Sequence, residues 1–84
     1  MALPAVKELV PAIVEIISRN GGRSHFKEIE KGVSELLNIS PEELQKIRSG
    51  KRTEFAYRLS WARTAASAAG LIKKEERGYW SLVK

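Results

Sequence analysis

Basic side chains and hydroxyls gather in two stretches of this chain, and the chemistry they offer is that of holding phosphate. "RSGKRTE" at 48–54 sets Arg48, Lys51 and Arg52 directly before Thr53, and "IKKEERG" at 72–78 brings in Lys73, Lys74 and Arg77. Between them "YRLSWART" at 57–64 supplies Tyr57, Arg58, Trp61, Arg63 and Thr64. An arginine such as Arg58 can donate to two acceptors on a guanine edge, and short polar side chains can reach neighbouring base edges. Residues 46–84 carry ten basic residues against Glu54, Glu75 and Glu76, a net of +7, whereas residues 1–45 carry five against seven glutamates, a net of −2. A positive field concentrated at one end of a fold is the footprint of a phosphate-binding surface. A merely solvated basic face gives the same totals, so position has to decide between the two.

Bond-breaking chemistry has little to work with. The chain has no cysteine, no aspartate and one histidine, His25, so no thiolate metal site, disulfide or catalytic triad is expected. Glu-x-Lys and Gln-x-Lys triplets are missing too, and no glycine-rich loop precedes a Lys-Ser or Lys-Thr pair. No catalytic residue, metal or cofactor is therefore expected, and the lack of cysteine points to a reducing, cytoplasmic setting. Apolar runs such as "AIVEIIS" are broken by charge far short of the roughly 20 residues a membrane helix needs, so no membrane partner is expected. The first residues, "MALPAVKELVPAIVEII", lack a basic region ahead of a continuous apolar stretch and read as structure rather than as a leader.

Eighty-four residues are expected to form one domain, 1–84, whose elements must carry those cations. Val6, Leu9, Val10, Ile13, Val14, Ile16 and Ile17 recur at helical spacing, with Pro11 placing the start of the main helix near itself after an irregular lead-in. "RNGG" at 19–22 ends it. "RSH" at 23–25 suits a short extended pairing, with Ser24 or His25 capping a second helix, "FKEIEKGVSELL", whose face is Phe26, Ile29, Val33, Leu36 and Leu37 and which Gly32 weakens slightly. "SPEE" at 40–43 is a capping box that opens a third helix, roughly Pro41 to Ile47. A basic loop, 48–54, then leads to Thr53 as the cap of a long helix, Glu54 to Ala69, with Phe55, Leu59, Ala62, Ala66 and Ala69 facing inward and Gly70 as its left-handed stop. "LIKKE", the turn "ERG" and "YWSLV" form a hairpin in which Trp80 and Leu82 point one way and Tyr79, Ser81 and Val83 the other. The expected fold is mainly α with a small antiparallel β-hairpin (α+β), a winged helix-turn-helix with the long helix as recognition helix and the hairpin as wing.

The run "YRLSWARTAASAAGLIKKEERGYWSLV" resembles the N-terminal domain of the Mrr family of modified-DNA restriction proteins at Arg58, Leu59, Trp61, Ala62, Arg63, Ala69, Gly70, Leu71, Ile72, Arg77, Gly78, Trp80 and Leu82. "LVPAIVEIIS" and "HFKEI" are similar to the family's first two helices, so the resemblance covers almost the whole chain. It departs at Tyr57, where the family has Asn, and at Ala65, Ser67 and Ala68, where it has bulky or basic residues. The resemblance implies a winged-helix module that binds double-stranded DNA, methylated or otherwise modified, in the cytoplasm at the nucleoid. It also implies a nuclease domain, fused or associated, that does the cutting. The alternative for the same fold is a protein–protein interaction module.

Within this frame the expected base-facing residues are Thr53, Tyr57, Arg58, Trp61 and Thr64, and the expected phosphate contacts are Arg48, Lys51, Arg52, Arg63, Lys73, Lys74 and Arg77. Several keep a second reading. Arg58 can instead pair with a glutamate or lie over a ring. Trp61, about 120° from the centre of the inward stripe at 100° per residue, is expected to tuck against the wing or the first helix. Arg63 can meet phosphate or an acidic neighbour, and Lys73 and Lys74 can be solvated charges that protect the hairpin edge. His25 is expected to cap or to lie at the surface.

Overall fold

The computed structural model describes residues 3–50 and 52–83, with only the backbone of Arg48 and Ser49. Its first helix, α1 (Val6–Arg19), runs straight through Pro11 and begins a turn earlier than the proline suggests. Pro11 forfeits one bond, to the carbonyl of Lys7, and its ring faces solvent. The early turn survives because its lead-in is anchored. Leu3 is buried, Arg58 donates to the carbonyls of Leu3 and Pro4 at 3.1 Å each, and the amides of Glu8 and Leu9 bond to Ala5 O at 3.0 and 3.2 Å.

After Asn20 the chain extends into β1 (Arg23–His25) and enters α2 (Phe26–Leu36). His25 is the cap. Its Nδ1 accepts from the Lys27 amide at 3.1 Å, and Glu28 Oε1 accepts from the His25 amide at 2.8 Å. Ser24 is buried instead, its Oγ accepting from Asn20 Nδ2 at 2.7 Å. The third helix, α3 (Pro41–Leu44), is a single turn opened by Ser40 Oγ, which accepts from the Glu43 amide at 3.3 Å. It stops before Ile47 because Ile47–Ser49 (β2) pairs antiparallel with Arg52–Thr53 (β3), so the expected basic loop is a small ribbon. The Glu54 amide, bonded to Lys46 O at 2.9 Å, closes the ribbon at its base.

Thr53 Oγ1 accepts from the Ala56 amide at 3.1 Å and caps α4 (Glu54–Ala68). Phe55, Leu59, Ala62 and Ala66 are its buried residues; Ala69 lies past the last turn and is exposed, contrary to its expected place on the stripe. Gly70 follows with φ +78°. The chain ends in β4 (Ile72–Lys74) and β5 (Tyr79–Leu82), and β5 lies between β4 and β1 in one antiparallel sheet. The architecture is mostly helical with a small three-stranded sheet, and is winged-helix-like. Helix α1 is the centre, packed on α2 on one side and α4 on the other, with the sheet against its end. Leu9, Ile13 and Ile17 of α1 meet Ile29 and Val33 of α2, Phe55 and Leu59 of α4, and Ile72 of β4 in one core.

Gly32 does more than weaken α2. A Cβ there would lie 2.7 Å from Cγ2 of the buried Ile16, so the missing side chain is what lets α1 and α2 approach. Alanine would gain about 1 kcal/mol of helix propensity but overpack a stiff β-branched neighbour at a cost of about 1–3 kcal/mol. Gly32→Ala is expected to lower the urea midpoint with an unchanged m-value; a raised midpoint would mean that Ile16 yields without cost.

Candidate nucleic-acid interface

Helix α4 commits one face to the core and leaves the other outward. Trp61 is 54% exposed, so the expected packing against the wing or α1 does not form; its ring neighbour is Tyr57, edge-on at 6.3 Å. Thr64, Ala65, Ser67 and Ala68 are exposed beside it, with Tyr57 and Ser60 half-exposed. Thr64 Oγ1 donates to the Ser60 carbonyl at 3.1 Å and keeps its lone pairs for another donor. Thr53 has already used its hydroxyl oxygen as the helix cap. Arg52, on β3, lies 5.7 Å from the Tyr57 ring centre, within the range of a cation–π contact.

Arg58 belongs to the fold. Its Nε meets Glu54 Oε2 at 2.8 Å while NH1 holds the two lead-in carbonyls, so the fork expected on a guanine edge already binds the N-terminal segment.

Strand alternation divides the wing's charges. Directly opposed residues share a face, and the register pairs Lys73 with Ser81, Arg23 with Ser81, Lys74 with Trp80 and Ser24 with Trp80. Lys73, Arg23, Ser81 and Tyr79 therefore occupy one face, and that face is internally balanced. Ser81 Oγ donates to Glu75 at 2.7 Å, Lys73 approaches Glu75 at 3.7 Å, and Arg23 pairs with Glu76 at 3.0 Å while lying over Tyr79 at 4.4 Å. The Ser81 hydroxyl first, and Lys73 second, hold the Glu75 carboxyl below its ordinary range. Lys74 stands on the opposite face, that of Trp80 and Ile72, and has no carboxylate partner among the described residues. The turn is fastened to α2: the Phe26 amide donates to Gly78 O at 2.7 Å, and Gly78, at φ +83°, has His25 Nε2 only 2.8 Å from where a Cβ would stand. Arg77, next to that glycine, is also unpaired among the described residues.

Arg63 joins helix to wing. Its guanidinium carbon is 5.8 Å from the Phe26 ring centre and 6.0 Å from that of Trp80, and Nε is buried without a hydrogen-bond partner among the described residues. Burial is the main influence lowering its pKa, opposed by Glu30 and reinforced by the nearby Arg52. Arg52 and Arg63 thus lie near one another at α4, and Lys74 stands on Trp80's face of the wing, whereas Arg58 and Lys73 are spent on internal pairs. The expected contacts Lys51 and the Arg48 side chain lie outside the described residues.

Phe26 and Trp80, the walls around Arg63, cannot be picked out from the sequence because both look like ordinary core residues and come from different elements. The split between Lys73 and Lys74 is within its reach, since the alternation that applies to residues 79–83 holds equally for 72–74. No group of three residues able to hold a metal occurs among the described residues, and no described helix is long and apolar enough to cross a membrane. Residues 7–84 match the family model of the Mrr N-terminal domain. Comparison with curated proteins and with solved structures gave no match.

Two outcomes follow from these contacts. Arg58→Ala removes charged hydrogen bonds to two half-buried carbonyls and should cost on the order of 2 kcal/mol in urea unfolding, with Arg58→Lys recovering little because a point charge cannot hold both; a neutral Arg58→Ala would contradict the anchoring role. Because the folded Glu75 carboxyl is depressed, its contribution is complete above the ordinary carboxylate range, about 4.3, and is lost as pH falls through the folded value. Ser81→Ala should move the Glu75 titration, followed by NMR, upward; an unmoved titration would show that the hydroxyl is not its main cause.

Proposed function

We propose that this chain, which belongs to the Mrr N-terminal domain family, binds double-stranded DNA as the non-catalytic recognition module of a restriction-system protein. The exposed face of α4 would enter the major groove, and the β4–β5 hairpin would lie along the flanking backbone. One observation carries this reading: among the described residues, the cations of the basic half that lack carboxylate partners, Arg52, Arg63, Lys74 and Arg77, stand just before α4, on its wing-side flank and in the wing, beside the helix surface that the core does not use. A solvated face would have no reason to segregate paired cations from unpaired ones.

In this reading Tyr57, Trp61 and Thr64 meet base edges, and Arg52, Lys74 and Arg77 meet phosphates, together with Arg48 and Lys51 of the ribbon. Thr53 and Arg58 act indirectly, by starting the helix and tying the N-terminal segment to it. Family membership extends the proposal to a methylated or modified duplex, to a nuclease domain fused to this one or associated with it, and to a place at the nucleoid in the cytoplasm. A half-exposed tryptophan beside a tyrosine is also the composition of a protein-binding hot spot, and this favours protein contact as the second reading.

Salt separates the two. Duplex affinity, measured by titration at two salt concentrations, is expected to fall steeply as salt rises, and Arg52→Ala combined with Lys74→Ala should reduce the slope of log K against log salt by about one for each phosphate that is no longer neutralised. Binding that ignores salt, or no binding at all, would favour the protein-contact reading.

A further inference from the structure

Among the described residues, Arg63 is the one cation at this surface whose setting works against it. An arginine in water is fully solvated, and one in a structural ion pair has a carboxylate; Arg63 has neither. Its Nε is buried and unbonded, and Arg52 repels it. Glu30 is near enough to be felt but forms no ion pair with it. The rings of Phe26 and Trp80, at 5.8 and 6.0 Å, stand at the outer limit of a cation–π contact and so shield part of the half-buried side chain from water without returning much attraction. Because arginine does not deprotonate in proteins, the downward pull on its pKa expresses a cost of keeping the charge there.

We propose that Arg63, walled by Phe26 and Trp80 in the crevice between α4 and the wing, is a preformed receptor for a single backbone phosphate of the duplex. This rests on the DNA-binding reading and assigns that surface its anchoring point. A planar fork fits two phosphate oxygens at once, and a half-buried site whose Nε is already out of water gives such a bond more strength than an exposed lysine can. The position suits phosphate better than base. Phe26 opens α2, Trp80 belongs to β5 and Lys74 shares Trp80's face, so the crevice lies where a strand flanking the groove would pass between helix and wing. A recessed fork there meets the projecting phosphates of that strand before any base edge on the groove floor. The free fold then carries an unfavourable charge whose compensation arrives with the ligand.

The test pairs stability with binding on the full chain. Arg63→Met keeps the aliphatic bulk and removes the charge. It is expected to leave the urea midpoint unchanged or raised, to lower duplex affinity roughly tenfold, and to reduce the salt slope by about one. A lowered midpoint with wild-type affinity and slope would overturn the inference, since Arg63 would then be a packing residue. If Arg63→Met lowers both, Arg63→Lys decides: affinity reduced several-fold at an unchanged midpoint supports the receptor, and wild-type affinity overturns it. A wild-type chain that binds no duplex at either salt concentration sinks the DNA-binding reading and this inference with it, whereas wild-type binding that Arg63→Met leaves intact sinks this inference alone.

Discussion

Helix α4 touches the rest of the molecule along one narrow stripe, and the surface chemistry depends on that narrowness. Phe55 and Leu59 supply the bulk near its start, while Ala62 and Ala66 let its later turns lie close against α1. A wider apolar face would have drawn Trp61 and Tyr57 inward and covered the polar positions beside them. With the stripe limited to one side, Trp61, Thr64, Ala65, Ser67 and Ala68 stay exposed, and Arg58 and Arg63 fall on its two flanks. Each flank has a different neighbour. Arg58 meets the N-terminal lead-in, and Arg63 meets the wing and the start of α2.

The same economy governs the charges. Glutamates occur in the basic half at only three positions, and each is used close by: Glu54 on Arg58, Glu75 on Lys73 and Ser81, Glu76 on Arg23. Two of these neutralise the outer face of the sheet and one secures the entry to α1. The inner face of the wing, with Lys74, and the wing-side flank of α4, with Arg63 and the preceding Arg52, keep their positive charge. The two exposed pairs on the sheet add little stability, so their main effect is to decide where the field of the basic half emerges.

Much of the frame is legible in the sequence because it rests on local rules. The stripe of α4, the Thr53 cap, the alternation in the last strand and the order of elements follow from spacing within a few residues. What stays hidden depends on partners far away in the chain. Pro11 reads as a helix start because nothing near it reveals that Arg58 holds the turn ahead of it. The 48–54 segment reads as a loop because two- and three-residue strands leave no periodicity to detect. Trp61 looks like a packing residue on hydrophobicity alone, and its exposure reflects how little surface the wing and α1 bring to that side of α4. Gly32 reads as a small defect in α2, since its value lies in the approach of Ile16 from another helix.

Mapping duplex binding onto the backbone by amide NMR shifts tests the account most directly. Perturbations should gather at Thr53, Tyr57, Trp61, Arg63 and Thr64, and at Lys74, Gly78 and Trp80 of the wing, leaving the outer sides of α1 and α2 unmoved. Shifts concentrated instead at Glu8, Glu15, Glu28 and Glu35, or none at saturating duplex, would contradict it.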